Sequence, residues 1–327
     1  MKAFLTTALL LVVLGCDTNS FLAFDPPQAI DACPPEGGPV GSRPDLFSSI
    51  DHSPSWSPDG RRIAYLHERG YVAGEGLITE LWTYDIATNQ ARRNVDKTVW
   101  DFDWLSDNEF VATLPDRDLH VITDQGDYVQ PLTEDGNQNW YPDISLDGER
   151  LTWDKGYSTV WTLDFQTGVQ LGVPRPDSSG DWRSPRWSPD SRRIAHIRYV
   201  DGPDAQGSVH TMDPDGSNVE RVTSRIADHR EPAWSPVDED IIAYSAKGCQ
   251  WLYDVFVHDL RTGQTQRVTF NGGHRPTWSP DGRSIAYSRS NVFAPAGGAH
   301  ANHYLHVIDL ETGEERAITS PETYAAP

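Results

Sequence analysis

The chain has 327 residues, 37% of them hydrophobic and 23% charged, and a formal net charge of -21. That composition suits a soluble globular body and excludes a multi-span membrane protein. The acidic balance excludes a binder of nucleic-acid backbone, which needs a basic face, and it tolerates cationic partners. Lys2, Lys97, Lys155 and Lys247 are the only lysines, so arginine carries the positive charge.

Residues 1–15 read MKAFLTTALLLVVLG, with Lys2 ahead of an apolar run from Ala3 to Leu14. The run is short for a membrane span and fits the hydrophobic region of an export signal. The stretch Val13-Leu14-Gly15-Cys16 resembles a bacterial lipobox. The resemblance implies cleavage before Cys16, acylation of that cysteine and anchoring to a membrane through the acyl chains. Residues 16–45 contain Pro26, Pro27, Pro34, Pro35, Pro39 and Pro44 with little periodicity, and read as an extended tether. In the oxidising compartment of an exported protein, Cys33 and Cys249 are a candidate disulfide between tether and body, with two unpaired thiols as the alternative. Neither lies in a CxxC or a metal-ligand cluster.

Beyond the tether one phrase recurs. It reads PSWSPDGRRIAYL at 54–66, PRWSPDSRRIAHI at 185–197, PAWSPVDEDIIAYS at 232–245 and PTWSPDGRSIAYS at 276–288, with weaker copies FDWLSDNEFVATL at 102–114 and YPDISLDGERLTW at 141–153. The anchors Trp56, Trp104, Ile144, Trp187, Trp234 and Trp278 recur about every 44 residues, a propeller period. Each unit predicts a strand ending at the Trp and a Ser-Pro-Asp-Gly turn. A second strand follows, with Ile63 and Tyr65 on one face and Ala64 on the other. A third strand ends at an Asp, as in LWTYDIATN, VFVHDLRTG and LHVIDLETG. A short fourth holds Arg267-Val268-Thr269 or Ala317-Ile318-Thr319. The prediction is an all-β, six-bladed β-propeller of four-stranded antiparallel blades over residues 46–319, followed by a tail at 320–327. The repeated Trp, Pro and Asp read as scaffold. The ring closes either on six complete units or with an outer strand donated from around Leu46 to Ile50.

These phrases resemble the WD40-like propeller repeat of the TolB and prolyl oligopeptidase-type proteins. The TolB resemblance implies a periplasmic protein that binds envelope proteins through its propeller. The chain departs from both patterns: the Pro-rich segment stands where TolB carries an α/β domain, and no G-x-S-x-G elbow is present.

In such a fold the short turns share one face and the irregular loops, at 67–80, 198–208, 246–254 and 289–304, share the other, where function concentrates. The start of each first strand lies by the central channel on that face. It brings His52, Trp140, Trp182, Arg183, His229, Arg230, His274 and Arg275 into candidacy as a mouth for a partner or ligand. Inter-blade hydrogen bonding is the structural alternative for these residues. His300, His303 and His306 form a second group, but neighbours on a strand alternate faces and make no metal tripod. No HExxH, P-loop or dinucleotide fingerprint is present, so no catalytic residue, metal or cofactor is assigned. The reading is a lipid-anchored, extracytoplasmic module for an envelope protein or peptide, leaning against an enzyme. The alternative is a small-ligand or carbohydrate-active propeller, distantly similar to pectate-type lyases, with a glycan at the same mouth.

Overall fold

The computed structural model describes residues 50–324, except 73–75, 176–179, 200–205, 224–227, 248–252, 271 and 294–299. The export signal, Cys16, the tether with Cys33, and Cys249 lie outside the described residues. The described chain is all-β apart from one 3-10 turn at Pro321–Tyr324. The strands come in consecutive groups of four. The first group is β1 (Ile50–Trp56), β2 (Arg62–Val72), β3 (Gly76–Asp85) and β4 (Gln90–Val95). The second is β5 (Asp101–Ser106), β6 (Glu109–Thr113), β7 (Leu119–Thr123) and β8 (Tyr128–Pro131). The third is β9 (Asn139–Ile144), β10 (Arg150–Lys155), β11 (Thr159–Asp164) and β12 (Gln170–Gly172). The fourth is β13 (Asp181–Trp187), β14 (Ile194–Tyr199), β15 (Gly207–Met212) and β16 (Glu220–Arg221). The fifth is β17 (His229–Trp234), β18 (Ile241–Lys247), β19 (Tyr253–Asp259) and β20 (Thr265–Arg267). The last is β21 (His274–Trp278), β22 (Ser284–Phe293), β23 (His300–Asp309) and β24 (Glu315–Ala317).

Within each group the strands pair antiparallel in sequence order. The second to fifth groups are separate four-stranded sheets, whereas β1 and β23 meet in one parallel pair, Ile50 with His303, which joins the first and last groups. This is a propeller-like architecture. Two stretches expected as irregular loops, 67–80 and 289–304, instead continue largely as strand: β2 pairs with β3 out to Val72 and Gly76, and β22 with β23 out to Phe293 and His300.

The apolar core lies between sheets, because period-two alternation gives every second strand two buried faces. Ala64 and Leu66 of β2 pack on Phe102, Trp104 and Phe110 of the second group. Ile63 and Tyr65, on the opposite face, pack on Leu305 and Val307 of the last. The same exchange recurs through Leu151 and Trp153, Trp182 and Ile194, Ile242 and Phe256, and Ile285 and Tyr287. Burying such side chains fully contributes about 1.5–3 kcal/mol each.

The repeated polar residues perform repeated mechanical tasks. In the Ser-Pro-Asp-Gly turn Ser57 donates to Asp59 at 2.7 Å, and Asp59 accepts the Arg61 N–H at 3.0 Å. Ser145 and Asp147, Ser188 and Asp190, and Ser279 and Asp281 repeat the first bond at 2.6 Å. Asp85, Asp164 and Asp309 end their third strands by accepting both the N–H and the hydroxyl of a Thr three residues on. Thr133, Thr223, Thr269 and Thr319 accept the N–H of Leu119, Val209, Val255 and Leu305, pinning the end of the fourth strand to the third in four of the groups.

The anchor tryptophans tie neighbouring sheets. Trp104, Trp234 and Trp278 donate their indole N–H to Ser55, Arg186 and Ala233 of the preceding inner strand at 3.0, 3.2 and 3.1 Å. Arginines from the preceding β2-type strand or its turn cover these anchors. Arg62 lies 5.1 Å over Trp104, Arg150 5.5 Å over Trp187 and Arg193 4.9 Å over Trp234. A planar guanidinium stacks on indole better than an ammonium does, which gives the preference for arginine over lysine a physical reason. Where first and last groups meet, Tyr324 stacks on His67 at 3.9 Å and donates to the Tyr65 hydroxyl at 3.1 Å.

Candidate functional site

The first strand of each group borders an axial cavity of about 530 Å³. Its wall carries Ser53, Asp101, Tyr141, Glu231 and Arg275 near the start of those strands, and Ser55, Asp103, Asp143 and Arg186 one step further in. A backbone device builds this wall. In five inner strands a Pro stands two residues before the anchor, and the residue ahead of it is left-handed: Ser53 (φ 53), Tyr141 (φ 54), Ser184 (φ 52), Glu231 (φ 54) and Arg275 (φ 52). At each of these the pairing with the second strand slips, between His52 and Ser55, Thr152 and Asp154, Arg183 and Arg186, Arg230 and Ala233, and His274 and Thr277. Proline has no N–H to lose from the ladder, and a bulge re-aims the side chain beside it. The second group has Asp101-Phe102 there and runs in register from Asp101 to Trp104.

Carboxylates stitch this wall around the axis. Asp101 accepts the Tyr141 N–H at 3.0 Å, and Glu231 accepts the Arg275 N–H at 2.8 Å. Deeper, Asp103 accepts the Ile144 N–H at 2.9 Å and Asp143 the Trp187 N–H at 2.6 Å. Burial and the proximity of Asp103 push the Asp143 carboxyl up to about 7, against the pull of Arg186. Burial also raises Asp103.

The sequence-predicted residues fall into three places. Arg275 lines the cavity; its Nε lies 3.2 Å from Glu231, and its Nη1 meets Ser53 and, at 3.2 Å, His52. His52, Trp140, Arg183, Arg230 and His274 stand one residue before the left-handed position, outside the cavity wall. They form a half-exposed collar. His52 pairs with Glu68 at 3.1 Å, Arg183 with Asp181 at 2.6 Å and Arg230 with Asp228 at 2.9 Å. Burial lowers the His52 and His274 imidazoles. Trp182 and His229 are buried inside their sheets, Trp182 against His196 at 4.5 Å and His229 against the Gly207 carbonyl at 3.1 Å.

Four aromatic residues of the collar escaped sequence reasoning: Trp100, Tyr157, Tyr199 and Tyr253. Trp100 stacks on Trp140 at 5.4 Å and Trp140 on Tyr157 at 5.5 Å. Arg183 then lies 5.2 Å over both Tyr157 and Tyr199, Arg230 4.8 Å over Tyr253, and Tyr253 packs on His274 at 5.0 Å. His274 in turn stacks on His303 at 5.9 Å. His306 faces elsewhere, pairing with Glu315 at 2.8 Å. Asp154, whose strand position opposes Trp140, is wholly buried, and its carboxylate oxygens make no well-formed side-chain hydrogen bond among the described residues, with only the Tyr157 N–H nearby. Burial raises it to about 8. Among the described residues no group of three or more His, Cys, Asp or Glu is arranged to hold a metal ion. No described helix is long and apolar enough to cross a membrane.

Comparison with known proteins gives this architecture relatives. An uncharacterized Agrobacterium fabrum protein is 26% identical over 285 residues, which cover 76% of this chain and 87% of that protein. The uncharacterized peptidase YuxL of Bacillus subtilis is 26% identical over 188 residues, 57% of this chain and 25% of that protein. A putative TolB from Agrobacterium tumefaciens superposes with a TM-score of 0.57 at 19% identity, covering 74% of this chain and 89% of the other. TolB from Acinetobacter baumannii gives 0.58 at 17%, covering 84% and 64%. An oligogalacturonate lyase in complex with manganese gives 0.53 at 13%, covering 82% and 77%. At such identities the structures speak for the fold alone. The structural resemblances divide between TolB-like and lyase-like proteins. The TolB beta propeller domain family matches residues 107–327, more than half of the sequence, and the chain belongs to that family.

Proposed function

We propose that the chain is a six-bladed propeller, closed between its first and last four-stranded groups, that binds an envelope protein or peptide at the collar and the channel below it without catalysing a reaction. The observation that carries this reading is the inner-strand bulge. One backbone conformation is repeated around the axis with different side chains in it: Ser53, Tyr141, Ser184, Glu231 and Arg275. Repetition of backbone without repetition of side chain is what a recognition surface on a symmetric scaffold requires. The collar adds rigid aromatic and arginine side chains, the types that dominate binding hot spots. The lipobox-like stretch at Cys16 supports export and lipid anchoring, and the Pro-rich tether would let the disk sample the space near the membrane. TolB, named among the fold relatives, supports the same extracytoplasmic setting.

The test is in-cell crosslinking of the full-length protein followed by affinity capture. It uses a collar variant, Trp140→Ala with Arg230→Ala, and a turn-face variant, Asp59→Ala with Asp281→Ala. A single envelope protein captured by wild type and the turn-face variant but lost with the collar variant is the expected result. Equal capture by all three would overturn the reading, and a Cys16→Ala form that stays membrane-bound would overturn the anchor.

A further inference from the structure

Around the collar, acids and cations are matched on one side and unmatched on the other. From the fourth group round to the first, Asp181 meets Arg183, Asp228 meets Arg230, Glu231 meets Arg275 and Glu68 meets His52. In the second and third groups Asp101 receives only backbone N–H donors, from Phe102 and Tyr141, both at 3.0 Å. Asp154 is wholly buried and makes no well-formed side-chain hydrogen bond among the described residues; the Tyr157 N–H and the Arg183 charge are its nearest favourable neighbours. A buried carboxyl with no side-chain hydrogen bond calls for an explanation, because buried polar groups are ordinarily satisfied. At the equivalent place in other groups a hydroxyl does a plain structural job: Thr113 donates to the Asn139 carbonyl at 2.8 Å, and Ser288 to the Asp51 carbonyl at 2.6 Å. Asp154 replaces that hydroxyl directly behind Trp140.

The unmatched acids coincide with the half-exposed aromatic arc Trp100, Trp140 and Tyr157. A guanidinium already uses the far end of this arc, where Arg183 lies over Tyr157. Aromatic faces next to the Asp101 carboxylate form the setting in which a cation is held both by ring quadrupoles and by charge, and a cation seated there would favour release of the proton that burial keeps on Asp154. The -21 net charge draws cationic segments toward the whole surface.

We infer that the arc of Trp100, Trp140 and Tyr157, with Asp101 and Asp154 behind it, is a site for a cationic side chain, the lysine or arginine of the segment that enters the channel mouth. The inference rests on the partner-binding reading above and names the chemistry the partner must bring.

The test titrates the full-length protein with three capped pentapeptides, Gly-Gly-X-Gly-Gly, in which X is lysine, norleucine or glutamate. The readout is the indole N–H resonances, with those of Trp100 and Trp140 assigned from Trp100→Phe and Trp140→Phe. The lysine peptide is expected to shift those two resonances saturably and to bind about tenfold more tightly than the norleucine peptide. Asp101→Asn, checked for folding by its circular dichroism, is expected to remove most of that difference. Norleucine or glutamate binding as well as lysine, or no saturable shift by about 10 mM lysine peptide, overturns the assignment. The two readings fail separately. A partner lost with the collar variant while the lysine peptide stays unbound leaves partner binding standing without the cation site. Lysine-peptide binding with no captured partner does the reverse.

Discussion

Five of the six inner strands begin at a bulge and end at a turn, and the two ends repeat in different ways. At the turn both backbone and side chains recur: Ser57 with Asp59, Ser188 with Asp190 and Ser279 with Asp281 make the same bond within 0.1 Å (2.7, 2.6 and 2.6 Å). At the bulge the backbone recurs, with φ between 52 and 54, but the side chains are Ser, Tyr, Ser, Glu and Arg. The difference separates scaffold from site without reference to any relative. Where side chains are copied along with the backbone, they serve the backbone. Where only the backbone is copied, the side chains are available for something outside it.

The comparison breaks most visibly if a copied scaffold residue is removed. Trp234→Ala takes away packing against Ala195, Ile197 and Tyr244, the bond to the Arg186 carbonyl and the Arg193 stack. A loss of about 3–5 kcal/mol is expected in urea denaturation. The fraction that remains folded should keep the collar.

A middle-sized effect belongs to the site side. The Asp154 carboxyl sits near 8 when folded, against about 4 when unfolded. The folded protein therefore holds a proton that the unfolded chain releases, and its contribution to stability is lost as pH rises from about 4 to 8. Asp143, raised to about 7, acts in the same sense. His303, lowered to about 4 by burial and by His274 and His52, opposes them only below the ordinary imidazole range. The window from pH 6.5 to 8.5 thus isolates the carboxyls. The charged groups that face Asp154 are Arg183 and Asp181 from β13 and Asp101 from β5. Melting temperature should fall across that window in wild type. Asp154→Asn should flatten the fall and add about 1–3 kcal/mol at its alkaline end. An unchanged slope would remove Asp154 as its source.

The smallest effect sharpens the comparison at one position. Ser184→Gly relieves left-handed strain worth about 1–2 kcal/mol and adds about 0.5–1 kcal/mol of unfolded-state entropy. Thermal denaturation should show a net gain of about 0.5 kcal/mol. A loss would mean that the Ser184 side chain supports the wall.

Much of the architecture was legible in the sequence, because its signals are local. The turn Asp, the strand-ending Asp and the fourth-strand Thr act within a few residues of themselves. The alternation of Ile63 and Tyr65 with Ala64 and Leu66 states directly which face meets which neighbour. The site was legible only to within one residue. The position of each first strand's start by the channel pointed to His52, Trp140, Trp182, Arg183, His229, Arg230, His274 and Arg275, whereas the bulge gives the channel wall to the residue before each Pro, of which only Arg275 was among them. Proline fixes its own φ and only biases the residue before it, so a left-handed residue there depends on pairing with the second strand. The Pro two residues before five of the six anchors was the available signal. Trp100 lies ahead of the weakest copy, and Tyr157 occupies the turn between β10 and β11 (φ 58), outside the repeated phrase. Asp154 carries no sequence signature, since only burial beside Trp140 makes it unusual.

The Pro-bordered bulge also bears on how such a molecule can change over generations. The backbone at that address is imposed by strand pairing and by the following Pro, and Ser, Tyr, Glu and Arg all occupy it with φ between 52 and 54. The backbone conformation there therefore does not dictate the occupant, even where an occupant such as Glu231 also holds a neighbouring strand's N–H. If the channel binds the proposed partner, single codon changes there can rewrite what it recognises while the copied turns and tryptophan ties keep the chain folded. Such a scaffold can drift from one ligand to another through a series of variants that all remain folded.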